Sequence, residues 1–121
     1  MKISTGIDIV VVSRIEKAMK SESFLERFFS EEECRYFREK GNHPQTVAGH
    51  FAAKEAFSKA LGTGIRGFSL HEAAVLHDEW GAPHFELCGK AQECAAGWQL
   101  SLSISHDGGI ATAVVMALRT E

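Results

Sequence analysis

The chain has 121 residues, 45% of them apolar and 24% charged, with a formal net charge of −3 at neutral pH. That length buries roughly two-thirds of an unfolded chain's surface around one core, and the balance excludes a disordered chain and argues against a general nucleic-acid binder. No apolar run is long enough for a membrane span, the start lacks a cleavable small-residue site, and Cys34, Cys88 and Cys94 show no CxxC or Cys/His spacing, so a cytoplasmic single domain over 1–121 with reduced thiols is expected.

From Lys2 to Val11, Ile3, Thr5, Ile7 and Ile9 alternate with Ser4, Gly6, Asp8 and Val10, which predicts a strand with Asp8 on the face opposite the isoleucines. Ser13 with Glu16 reads as a capping box opening a helix through about Lys20. Ser30 with Glu33 repeats the signature ahead of a helix ending at Gly41, and the intervening FLERFF reads as a helical turn. The longest helical pattern, TVAGHFAAKEAFSKALG, is closed by Gly62, with Ala53, Ala56, Phe57, Ala60 and Leu61 as its buried stripe and Phe51, Glu55 and Lys59 on another flank. LHEAAVLHD, EWGAP and HFELC predict a hairpin, GKAQECAAGW a short helix, and LSLSIS, HDGG and IATAVVMAL a final hairpin. The expected class is α+β: a largely antiparallel sheet packed against a long central helix and shorter helices.

Several of these residues could carry chemistry. Asp8 among apolar neighbours needs a hydrogen-bond donor, a cation or a metal; an edge position or an ion pair would serve equally. Glu55 and Lys59 by themselves form an ordinary helix pair. Set across a cleft, Asp8 and Glu55 offer oxygen ligands suited to magnesium, with waters and substrate phosphates completing the shell. No zinc-type histidine spacing is present. GTGIRG, with Gly62, Gly64 and Gly67, matches a dinucleotide fingerprint in letters but closes a helix where that fingerprint opens one, so it reads as a C-cap and turn whose amides could approach a phosphate. Ser105 and His106 end a strand at the mouth of a hairpin and face opposite ways, which argues against a serine hydrolase. Arg14, Lys17 and Lys20 sweep a basic sector that reads either as a solvated face or as a dock for an acidic partner.

GIDIV, AGHFAAKEAFSKALGTGI, WGAPHFEL and SISHDGGIATAVV, in this order and along almost the whole chain, resemble the short bacterial-type holo-acyl-carrier-protein synthases, a class of 4′-phosphopantetheinyl transferases. The resemblance implies magnesium-dependent transfer of phosphopantetheine from coenzyme A to a serine of apo-acyl carrier protein, in the service of fatty acid and lipid synthesis. It implies Asp8 and Glu55 as metal ligands, and these two with Lys59 as the catalytic set. Lys59, Gly62, Gly64, Ser105 and His106 would line the coenzyme A site, and Arg14, with Lys17 and Lys20 beside it, would dock the carrier protein. It implies a homotrimer as well. Members commonly carry arginine at the position of His50, so any nucleotide contact there is expected to be weaker and pH-dependent. Two rival readings are a non-catalytic coenzyme-A-binding module and a structural oligomer in which Asp8 and Glu55 are merely ion-paired.

Overall fold

The computed structural model describes residues 1–62 and 67–120. In chain order these form β1 (Lys2–Val11), α1 (Val12–Ala18), α2 (Glu22–Phe28), α3 (Glu31–Glu39), α4 (Pro44–Leu61), β2 (Ala73–His77), β3 (Pro83–Leu87), α5 (Gly89–Cys94), β4 (Gln99–Asp107) and β5 (Ile110–Arg119). The α+β class is as expected, and the antiparallel strands fall into two sheets, β1-β5-β4 and β2-β3. Gly108 and Gly109 join β4 to β5 with φ of 55° and 80°, the left-handed pair that a two-residue hairpin turn requires.

The two expected capping boxes have different fates. At α3 the Ser30 hydroxyl accepts from the Glu33 amide at 3.1 Å while the Glu33 carboxylate accepts from the Ser30 amide at 3.0 Å. At α1 the box does not form: β1 runs straight into the helix, Val11 is the N-cap, and the Val12 amide donates to the Gly109 carbonyl at 2.9 Å. Hairpin backbone thus does part of the work a serine cap would do. The helix stops at Ala18, which leaves Lys20 in the following turn.

The core lies between α4 and the inner face of the three-stranded sheet. Ala52, Ala53, Ala56, Phe57 and Ala60 meet Ala113, Val115 and Ala117 of β5, with Leu100, Leu102 and Ile104 of β4 packed alongside; Leu61 is only half-buried. Small residues let the helix come close to β1. A Cβ on Gly6 would collide with the Ala56 carbonyl and lie 2.6 Å from the Ala60 nitrogen, and the Ser4 hydroxyl donates to the Ala60 carbonyl at 2.6 Å. The opposite side of α4 is covered too, by a second cluster in which Val47 and Ala48 pack with Ile15, Phe29 and Phe37. A helix covered on both sides has almost no solvent face in its middle, and His50 and Lys54 are buried there.

Candidate active site

Close approach of α4 to the edge strand β1 assembles the acidic site. Strand alternation sends Asp8 inward with Ser4, Gly6 and Val10, where its side chain retains 16% exposure. Lys59, near the end of α4, donates to Asp8 Oδ1 at 3.2 Å and to the Ile7 carbonyl at 2.9 Å, while its own side chain stays 55% exposed. Glu55, one turn earlier and half-buried, has its carboxyl pushed above the ordinary value by burial and by the negative charge of Asp8, against the opposing pull of Lys59. Two oxygen donors that repel each other, with a cation at their rim, suit a hard divalent ion completed by water and phosphate oxygens.

The other expected residues occupy different places. Gly62 caps α4 at a left-handed φ of 73°; its amide donates to the Lys59 carbonyl at 3.1 Å and is not a free donor, and among the described residues nothing lies within 4 Å of a Cβ placed on it. Gly64 lies outside the described residues. Ser105 pairs with Thr112 on the outer face of the sheet, whereas His106 shares the inner face with Ile104. His106 borders a cavity of about 220 Å³ with Tyr36, His50, His77, Gly81 and Pro83. Because Asp8 pairs with Ala113 and Ala113 with Ile104, Asp8 and the cavity-lining Ile104 share one face of one sheet, about 10 Å apart by two strand spacings. Arg14, Lys17 and Lys20 line a single groove of about 580 Å³ with Ser13 and Glu16.

A buried polar cluster escapes the sequence reading. Glu33, besides capping α3, accepts from Lys54 Nζ at 2.6 Å and from His50 Nδ1 at 2.9 Å. Lys54 places its remaining protons on the carbonyls of Leu70 and Ala73, at 3.1 and 2.8 Å. Burial pushes the Glu33 carboxyl up, but the His50 hydrogen bond and the Lys54 charge outweigh it and hold the group below the ordinary value. His50 is 1% exposed, and its Nε2 lies 3.0 Å from His77 Nε2. Both of its nitrogens are therefore engaged within the protein, and a nucleotide contact from position 50 would have to break one of those bonds. The sequence signal was faint: an alanine-rich helix without a clear polar face, in which any polar residue has to find partners.

Residues 4–115 match the model of the 4′-phosphopantetheinyl transferase superfamily. The chain is 45% identical to the holo-[acyl-carrier-protein] synthase of Caldanaerobacter subterraneus subsp. tengcongensis, covering 100% of this chain and 98% of that protein. Among solved structures, the Helicobacter pylori holo-[acyl-carrier-protein] synthase in complex with coenzyme A superposes with a TM-score of 0.83 at 41% identity, over 94% of this chain and 99% of that one. The Chronobacterium ammoniagenes ACPS–CoA complex superposes with a TM-score of 0.85 at 32% identity over the whole of both chains. With a family model matched over most of the chain, a relative 45% identical along its whole length and a fold shared with these solved structures, the chain belongs to the 4′-phosphopantetheinyl transferase superfamily.

Proposed function

We propose that this chain is a cytoplasmic holo-acyl-carrier-protein synthase, a single transferase domain over 1–121 that serves fatty acid synthesis by moving phosphopantetheine from coenzyme A to a serine of apo-acyl carrier protein. The observation that carries this reading is the inward-facing Asp8, paired with Lys59 and close enough to Glu55 to raise its proton affinity. In the transfer, the serine oxygen attacks the β-phosphorus of the coenzyme A pyrophosphate. The bond from that phosphorus to the bridging oxygen breaks, adenosine 3′,5′-bisphosphate leaves with the electron pair, and the serine proton is released. Such chemistry needs positioning and charge neutralisation more than covalent help.

Asp8 and Glu55 would hold magnesium. When bound, that ion supplies positive charge to the pyrophosphate oxygens. Lys59 adds its ammonium at the rim, and its exposed end can turn from Asp8 to a phosphate oxygen. Gly62, at the end of α4, and the inward side of His106 would take the nucleotide part of the donor. Ser105 lies on the opposite, outer face of the sheet and does not line the His106 cavity. Arg14, Lys17 and Lys20 would meet the acidic carrier protein, drawing it in by charge.

A homotrimer fits the outer face of the sheet. Ile3, Ile7 and Ile9 of β1 are each more than 60% exposed, and Val11, Val114 and Met116 extend the same apolar surface. A contiguous patch of this kind is an association surface. The deciding experiment is the intact mass of an apo-acyl carrier protein after incubation with the chain and coenzyme A, with magnesium or with chelator. A magnesium-dependent gain of one phosphopantetheine unit is expected; coenzyme A binding without any gain would leave the non-catalytic module.

A further inference from the structure

The proposed transfer leaves one polar chain unused, buried at Glu33 and His50, half-buried at His77 and reaching the surface at Gly81. The Glu33 carboxylate only accepts, so His50 Nδ1, 2.9 Å from Oε2, carries a proton. The Gly81 carbonyl only accepts as well, so His77 Nδ1, 3.2 Å away, carries one when that bond is made. Between the rings, the two Nε2 atoms at 3.0 Å need a proton to join them. Three protons on four nitrogens is one more than two neutral imidazoles hold, so the complete chain exists only when the pair carries a single positive charge.

We propose that His50 and His77 share one proton and act as a positioning pair, fastening the Gly81 carbonyl, and with it the turn that walls the His106 cavity, to Glu33 in the core. Loss of the proton frees one link, and the geometry selects which. Glu33 keeps its buried donor from His50, and His50 Nε2 then requires a donor, because a buried unpaired acceptor facing another lone pair is the costliest arrangement. His77 therefore keeps its proton on Nε2 and lets go of Gly81, whose exposed carbonyl turns to water. The turn itself keeps its shape, since Asp78 Oδ1 accepts from the amides of Trp80 and Ala82 at 2.8 and 2.9 Å. What changes is its attachment.

The charges around the pair pull in opposite directions. Burial opposes a charge on His50 and outweighs the hydrogen bond and charge of Glu33, which favour it; His77 itself and Lys54, on the same carboxylate, add to the opposition, so His50 is held below the ordinary histidine value. Tyr36 of α3 stacks on His50 and His77 with centroids at 5.6 and 4.4 Å, and Lys40 lies over the Tyr36 ring. Glu32, Arg35 and Glu39 of α3 border the cleft beside His77, and His106 of β4 borders the cavity on the other side. His84 on β3 sits near the Asp78 carboxylate that holds the turn.

Coenzyme A as the ligand of this cavity rests on the proposed function; the shared proton does not. The full chain, labelled with 15N-histidine, should show His50 and His77 moving through one joint titration, His50 Nδ1 protonated throughout and His77 Nδ1 losing its proton at the high end. Two rings titrating independently would overturn the proposal. In transfer assays the KM for coenzyme A should rise about three- to tenfold as pH crosses that titration, the worth of one net hydrogen bond. His77→Gln keeps a donor towards His50 but cannot carry the proton, and should flatten that rise relative to the parent; coenzyme A's own phosphate titrates alike in both assays. A profile parallel to the parent would overturn the positioning role. His77→Phe preserves the stack on Tyr36, and its profile should match that of His77→Gln. Absence of any transfer would remove the proposed function, while the histidine resonances would still decide the shared proton.

Discussion

Asp8 and Glu55 repel each other at the rim of the core, and Lys59 offsets that repulsion only in part, because its ammonium is shared with the Ile7 carbonyl and with water. Asp8→Ala should therefore leave the fold intact and lower transfer on the order of a hundredfold or more, the scale of losing one preorganised electrostatic contact. Near-parental turnover in magnesium would remove Asp8 from the site. Glu55→Gln separates stability from activity. A carboxyl whose proton affinity is raised by folding binds more protons in the native than in the unfolded chain, so its ionisation lowers stability as pH rises past the ordinary carboxylate range. In chelator, the Tm advantage of Glu55→Gln over the parent should grow from pH 4 to pH 7 while transfer is lost. An advantage constant with pH would mean that Glu55 is not destabilised by Asp8. Strand parity in the sequence told which way Asp8 faces; its partners came from a helix about fifty residues away, beyond the reach of local pattern.

At the scale of elements, α4 is the part that sequence periodicity describes least well. Its boundaries and its glycine cap follow from propensity and from the αL position that glycine tolerates, but a helix packed on two sides has no polar stripe to read. Lys54 could pass for a surface lysine, yet it is fully buried and bridges α3, α4 and the start of β2 through Glu33, Leu70 and Ala73. Lys54→Met should lower stability by about 3–5 kcal/mol by stranding the Glu33 carboxylate. Chemical denaturation measures this, and a loss below about 1 kcal/mol would show the pair to be dispensable. On α1, Arg14→Ala should raise the KM for carrier protein about fivefold, roughly the worth of one partly exposed ion pair, and barely change that for coenzyme A. Equal changes in both would remove the docking role of the groove.

For the whole molecule, the isoleucine side of β1 is the outer side, and the small side, Ser4 and Gly6, is the one that meets the helix. A single chain leaves that apolar face in water, which is the physical argument for assembly. Ile7→Asp should convert a trimer in sedimentation velocity to a monomer and abolish transfer if the site needs its neighbours; a parental oligomer would move the interface elsewhere. By itself the sequence determined the class of fold, the order of the elements, the α3 cap, the glycine turn between β4 and β5, and the family, because each of these is written in short-range spacing or in motifs quoted along the chain. Tertiary structure alone decided that the turn of the β4–β5 hairpin would satisfy the start of α1, that the strands would split into two sheets, and that Glu33, Lys54, His50 and His77 would meet. Those outcomes depend on which buried donors and acceptors come within hydrogen-bonding distance once distant segments pack, and no local pattern records that distance.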